Sequence, residues 1–177
     1  MKKYIKIEKE KILLVNKKYG LSCFYNPKDI LLEVKKAFEE LQSAAYQDGI
    51  MLLIVSGYRS YNYQKHLYNK YKRTDPLNVD NYSAKPGHSE HQTGLALDIV
   101  NAESKNIDKF KKEFNWLNKN AYKYGFILRY PKGKENITGY KYEPWHYRYV
   151  GKVSKLLYNN GKWMTLEEHK DIKCKNK

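Results

Sequence analysis

Two segments of the chain concentrate side chains that bind metals and move protons. PGHSEHQTGLALDIV runs from Pro86 to Val100, and YEPWHYRYV runs from Tyr142 to Val150. His91 and Asp98 lie seven positions apart, so in one uninterrupted strand they would point to opposite faces. Thr93-Gly94 breaks that run, and glycine permits a turn or bulge that lets the two side chains converge. His146 begins a second strand-like segment and can approach from a neighbouring strand. Two imidazoles and one carboxylate are good zinc ligands and leave a fourth position for water. Glu143 lies three residues before His146, with Pro144 stiffening the link. A carboxylate beside a metal, and not itself a ligand, can take the proton of a water.

Spacing permits this site without requiring it, because a histidine followed seven residues later by an aspartate is commonplace. The other histidines have plainer readings. His66 falls on a helix and His169 in a charged tail, and both read as structural or surface groups. His88 is near the cluster but is not counted as a ligand. Arg59 reads equally well as an ion-pair partner, and Trp145 as core.

The elements that must position these groups follow from periodicity. Ile12 to Asn16 reads as an edge strand. Asp29 to Asp48 reads as a helix, with Leu31, Val34, Ala37, Phe38, Leu41 and Ala45 three or four apart and Gly49 ending it. Met51 to Val55 is a short apolar run, a buried strand. Ser60 is placed to cap a helix running to about Tyr71, with Leu67 and Tyr71 on one face. Lys72 to Glu90 is a long polar loop, of the kind that often carries function. Leu95 to Val100 reads as a strand and Asp108 to Tyr124 as a second long helix closed by Gly125. Phe126 to Tyr130 and Trp145 to Val150 read as strands around a polar loop at Pro131 to Gly139. A short helix is expected near Ser154 to Asn159, and another from Leu166. The fold expected is α+β: a single domain over residues 1–177, with a small, mainly antiparallel sheet flanked by helices and the zinc site at the sheet.

Composition narrows the class. A chain of 177 residues with 41% apolar residues can bury one sizeable core. Lys and Arg number 34 against 19 Asp and Glu, a formal charge of +15 that favours anionic partners. The lysines are scattered in short groups, which reads as a solvated surface, and no nucleic-acid-binding motif accompanies them. Eighteen tyrosines suit half-buried walls of a polar-ligand groove. Cys23 and Cys174 have no metal-binding spacing, and nothing in the sequence brings them together as a disulfide. The apolar stretch Ile12 to Val15 is shorter than the roughly 7–15 residues of a secretory signal core. No stretch approaches the roughly 20 apolar residues of a membrane span. A cytoplasmic protein is expected if Met1 is the native start, and a cell-wall-side one if the chain is a trimmed ectodomain. No heptads or spare apolar face appear, so a monomer is expected.

Three long words carry a family resemblance: SGYRSYNYQ (Ser56 to Gln64), SAKPGHSEHQTGLALDI (Ser83 to Ile99) and GYKYEPWHYRYVG (Gly139 to Gly151). Together with YGFILRYPKGKENITGY and the late word TLEEH, they resemble VanY-type D-alanyl-D-alanine carboxypeptidases. These are zinc peptidases related to VanX-type dipeptidases and LdcB-type L,D-carboxypeptidases. The resemblance covers about Ile12 to Asp171. It implies Zn2+ held by His91, Asp98 and His146, with Glu143 as the catalytic base. It further implies Arg59 as the group polarising the scissile carbonyl, and Gln64 and Ser89 as substrate contacts near the terminal D-alanine. The implied substrate is a peptidoglycan precursor peptide or the D-Ala-D-Ala dipeptide. The start EKEKILLVNK is similar to dual-activity VanXY-type enzymes of glycopeptide resistance. An L,D-carboxypeptidase or an endolysin would use the same zinc apparatus. A non-catalytic module for anionic polymers is the reading of a different class, and intact base and ligand positions speak against it.

Overall fold

The computed structural model describes residues 2–100 and 109–169. An N-terminal hairpin pairs β1 (Lys3–Ile7) with β2 (Glu10–Leu14) and turns Ile5, Ile7, Ile12 and Leu14 into the core. The sequence reading had only the second of these strands, two residues displaced. Helix α1 (Leu32–Gln47) buries Val34, Ala37, Phe38, Leu41 and Ala45, the stripe expected from their spacing. Gly49, at φ 73°, ends it as expected.

The central sheet has four strands in the order β3 (Leu53–Ser56), β4 (Ala96–Val100), β6 (His146–Tyr149), β5 (Phe126–Leu128). All its pairings are antiparallel. The two inner strands divide their residues by alternation. Leu97, Ile99 and Tyr147 belong to the main apolar cluster with α1, whereas Asp98, His146 and Arg148 belong to the other set. Burying each large side chain of that cluster stabilises the fold by roughly 1.5–3 kcal/mol. The mixed α+β fold with a small antiparallel sheet is the one the element order implied.

Helix α2 (Tyr61–Thr74) starts where Ser60 accepts a hydrogen bond from the Tyr63 amide at 3.2 Å. Its buried face differs from expectation: Gln64 and Tyr68 turn inward, while Leu67 and Tyr71 line a cleft. The long polar segment after it contains one short 3-10 turn, Val79–Asn81. Helix α3 (Lys111–Asn120) continues as a 3-10 turn to Tyr124 and stops at Gly125, φ 86°. The expected start of that helix, Asp108, lies outside the described residues, as does Cys174.

The loop expected at Pro131 to Gly139 includes one helical turn, α4 (Glu135–Thr138). The helix expected at Ser154 to Asn159 is instead a 3-10 segment, Gly151–Leu157, leading into a small hairpin of β7 (Tyr158–Asn159) and β8 (Lys162–Trp163). Tyr158 stacks on Tyr122 with ring centroids 4.2 Å apart and packs on Trp163, contacts that favour extended chain here. A helical turn follows at 166–169. Among the described residues, no helix is long and apolar enough to cross a membrane.

Candidate functional site

The strand register creates the site. Asp98 on β4 is the direct cross-strand partner of His146 on β6, so their side chains share one face. His91 arrives from the chain just before β4. It lies in a 3-10 turn, Glu90–Thr93, that ends at Gly94 in the left-handed region, φ 71°. A Cβ on Gly94 would stand 2.6 Å from the Asp29 carbonyl oxygen, so only glycine fits this reversal without a shift. This is the break that lets residues seven apart converge. His91 Nε2 lies 3.3 Å from Asp98 Oδ1, and His146 Nδ1 lies 3.4 Å from the same oxygen.

The protonation pattern of these three groups fits a cation. His91 Nδ1 is 2.6 Å from the Gly57 carbonyl oxygen, which can only accept, so Nδ1 carries the proton and Nε2 is a bare lone pair. Burial, reinforced by the Arg59 guanidinium, pushes the His91 imidazole down to about 4, so it is neutral. His146 Nε2 faces Glu90 Oε2 at 3.4 Å, so when the ring is neutral its one proton is favoured on that side and Nδ1 is the nitrogen left for a cation. Three atoms able to ligate a cation thus converge within 4.8 Å of one another. His91 Nε2 and Asp98 Oδ1 are buried and make no hydrogen bond, and neither do His146 Nε2 and Glu90 Oε2, which meet as an ion-pair contact only. Ligands bound tetrahedrally at about 2.0–2.1 Å are about 3.3–3.4 Å apart, which matches the two separations above. Burial disfavours charge on His146, but Asp98 and Glu90 outweigh it and hold its pKa up at about 9. Without a metal, the site therefore draws in a proton, the response of a cluster with surplus negative charge. Burial also works against the charge on Asp98, yet the two imidazoles keep its carboxyl well below the usual range.

Glu143 sits beside this cluster, with Oε2 at 3.4 Å from His146 Nδ1. Its amide donates to the Tyr130 carbonyl at 3.1 Å, and its carbonyl accepts from the His146 amide at 3.2 Å, so a tight turn through Pro144 fixes its position. Burial raises its pKa to about 7; His146 offsets part of this and Asp98 adds to it. A carboxylate poised near neutrality is suited to exchanging protons.

Arg59 lies between β3 and α2. Its Nη2 donates to Asp98 Oδ2 at 3.0 Å and its Nη1 to Gln64 Oε1 at 3.2 Å. Gln64 is 1% exposed, and its Nε2 donates to the Ala84 carbonyl at 2.8 Å. Its side-chain oxygen thus holds Arg59 while its NH2 is anchored on the Ala84 carbonyl. Ser89 is buried at the start of the 3-10 turn and lines the cleft. The cleft, about 470 Å³, brings together all seven residues singled out from the sequence: Arg59, Gln64, Ser89, His91, Asp98, Glu143 and His146. Tyr71, Tyr82, Tyr130, Tyr140 and Trp145 supply aromatic walls. Trp145 thus faces the cleft and is not core. His66 is exposed, and His88 stands apart from the cluster, with Nδ1 2.8 Å from the Asn16 carbonyl oxygen.

Sequence reasoning missed Glu90, Arg129, Arg148 and Tyr130. Two signals were available. Arg148 lies two positions after His146 and so shares its strand face, and Arg129 is a lone charge in the apolar run Phe126 to Tyr130.

A family model described as VanY, D-alanyl-D-alanine carboxypeptidase, matches residues 28–152. The chain is 42% identical to the putative carboxypeptidase YodJ of Bacillus subtilis (strain 168), over 89% of this chain and 66% of that protein. It is 35% identical to a D-alanyl-D-alanine carboxypeptidase of Enterococcus faecalis (strain ATCC 700802 / V583), over 89% of this chain and 65% of that protein. It thus spans just under two thirds of the length of these two relatives. Its fold is similar to that of the LdcB LD-carboxypeptidase, with a TM-score of 0.84, 40% identity and coverage of 95% of this chain and 90% of that one. It is also similar to a vancomycin-resistance D,D-pentapeptidase VanY variant in complex with Zn(II), with a TM-score of 0.76, 32% identity and coverage of 88% and 96%. The chain belongs to the VanY family of D-alanyl-D-alanine carboxypeptidases, peptidases with a metallopeptidase fold.

Proposed function

We propose that this protein is a zinc-dependent carboxypeptidase that hydrolyses the terminal D-Ala-D-Ala bond of peptidoglycan precursor peptides and releases D-alanine. The observation that carries this reading is the convergence of His91 Nε2, Asp98 Oδ1 and His146 Nδ1, with the Glu143 carboxyl 3.4 Å from His146, in one cleft. His91, Asp98 and His146 would hold the zinc. When bound, the ion supplies Lewis acidity, making a water more acidic and a peptide carbonyl more electrophilic. Glu143 takes the proton from the attacking water, whose oxygen bonds to the carbonyl carbon. As the C–N bond breaks, Glu143 returns the proton to the departing amine of D-alanine. Arg59, held in orientation by Asp98 and Gln64, offers N–H groups to the oxyanion that develops. Ser89 offers a hydroxyl to the terminal residue.

A second reading is supported by the higher identity and TM-score with LdcB: cleavage of a D-alanine that follows an L-configured centre, as in an L,D-carboxypeptidase. The leaving group is the same, and only the residue before the scissile bond differs. The experiment offers purified, zinc-loaded protein a muramyl pentapeptide ending in D-Ala-D-Ala, the tetrapeptide ending in one D-alanine, and free D-Ala-D-Ala. Chelator-sensitive D-alanine release from the pentapeptide supports the D,D reading. Release from the tetrapeptide alone moves the assignment to the L,D reading. Release from none of the three sinks both.

A further inference from the structure

Behind His146 lies a buried cluster of charges that the hydrolytic reading does not use. Glu90 is completely enclosed. Its Oε1 accepts hydrogen bonds from Arg129 Nε at 2.8 Å and Arg148 Nη1 at 2.9 Å, and its Oε2 faces His146 Nε2 at 3.4 Å. Arg129 turns its remaining nitrogens on Glu167, with Nη1 to Oε2 at 2.9 Å and Nη2 to Oε1 at 2.6 Å. Asn16 Nδ2 donates to the same Glu167 oxygen at 3.0 Å, and Arg148 Nη2 donates to the Leu13 carbonyl at 2.8 Å.

Two guanidinium groups and two carboxylates balance, which is the condition under which such charges stay buried. The two-pronged grip of Glu167 on Arg129 fixes the plane of that guanidinium, and a fixed plane fixes where Glu90 Oε1 must sit. With Oε1 held by two cations, Oε2 is left directed at His146. The tautomer of a ligating imidazole is set by what its other nitrogen meets. Leu13, Asn16 and Glu167 all lie outside residues 28–152, the stretch matched by the family model. The hairpin strand β2, the turn after it and the helical turn at 166–169 therefore brace His146 through side chains on its own face of the sheet.

We propose that Glu90 and Glu167 are positioning residues for the metal. Glu90, with Oε2 3.4 Å from His146 Nε2, keeps that edge of the ring turned toward its negative charge so that Nδ1 faces Asp98, and Glu167 holds Glu90 through Arg129. The proposal rests on His91, Asp98 and His146 being the zinc ligands.

The test compares wild-type protein with Glu90→Gln and Glu167→Gln, both of which keep side-chain size and remove charge. Zinc affinity is measured by competition with a chelator, and the ligand field by the visible absorption of the cobalt(II)-substituted proteins. Thermal melts of the metal-free proteins establish the folded fraction. Glu90→Gln should weaken zinc binding by about 10- to 100-fold, and Glu167→Gln by about tenfold, the range for groups that orient a metal ligand. Both should shift the cobalt spectrum. A purely structural role would lower the melting temperature while leaving affinity and spectrum as in wild type, and that result overturns the proposal. If Glu90→Gln does not fold, Glu167→Gln decides alone, since its side chain is 13% exposed and at the edge of the cluster. A folded wild-type protein that takes up no zinc overturns the underlying metal reading and the proposal with it.

Discussion

Glu143 is expected to cost the metal-free protein stability while supplying its chemistry, and Glu143→Gln separates the two. The side chain is 11% exposed and its pKa is raised from 4.5 to about 7, chiefly by burial. A carboxyl with a raised folded-state pKa binds its proton more tightly when folded. It therefore contributes stability that is fully present below pH 4.5 and is lost as pH rises through about 7. Moving a carboxyl over that interval corresponds to about 3 kcal/mol. In chelator-treated protein, urea unfolding at pH 8 should find Glu143→Gln more stable than wild type by up to about 3 kcal/mol, with the two converging near pH 4. With zinc restored, the variant should turn over about 100- to 10,000-fold more slowly, the usual contribution of a positioned general base. It should still bind zinc, because the three converging ligand atoms do not include Glu143. Turnover within tenfold of wild type would refute the base assignment. A wild-type stability that does not fall between pH 4.5 and 8 relative to the variant would refute the burial argument.

Three further outcomes follow from particular contacts. Arg59→Lys keeps a positive charge but cannot donate to both Asp98 and Gln64, so kcat should fall about 100- to 1,000-fold with metal content unchanged; initial rates beside metal analysis check this. Gly94→Ala places a methyl group against the Asp29 carbonyl at positive φ, and should destabilise the fold by about 1–3 kcal/mol in urea titrations and weaken zinc binding by displacing His91. Tyr68 donates to Asp80 at 2.7 Å, and its pKa is raised to about 12, first by that hydrogen bond and then by burial. Its stability contribution is present below pH 10 and lost as pH rises through about 12, so the thermal stability of Tyr68→Phe should fall less than that of wild type over that interval.

The site was more legible in the sequence than the scaffold behind it, and the reasons are local. His91 and Asp98 could be brought together on paper because Thr93-Gly94 lies between them and glycine reverses a chain cheaply. The pairing of Asp98 with His146 could not be read off, because register between strands so distant in sequence is a tertiary property. Strand β1 was missed because Lys3–Ile7 offers only Ile5 and Ile7 as inward apolar residues. The inward face of α2 was misread because a buried glutamine looks polar in a pattern, and its burial depends on Arg59 and the Ala84 carbonyl to satisfy it. Glu90, Arg129 and Arg148 look like surface charges one at a time. Only together, with Glu167, do they make a cluster that can be buried.

His91, Asp98 and His146 are expected to hold a zinc ion in the cleft. A crystal of zinc-loaded protein, with diffraction recorded on either side of the zinc absorption edge, locates the ion by its anomalous signal. One strong peak is expected within about 2.0–2.2 Å of His91 Nε2, His146 Nδ1 and Asp98 Oδ1. A zinc peak bound elsewhere, with these three atoms free of metal, would contradict this placement.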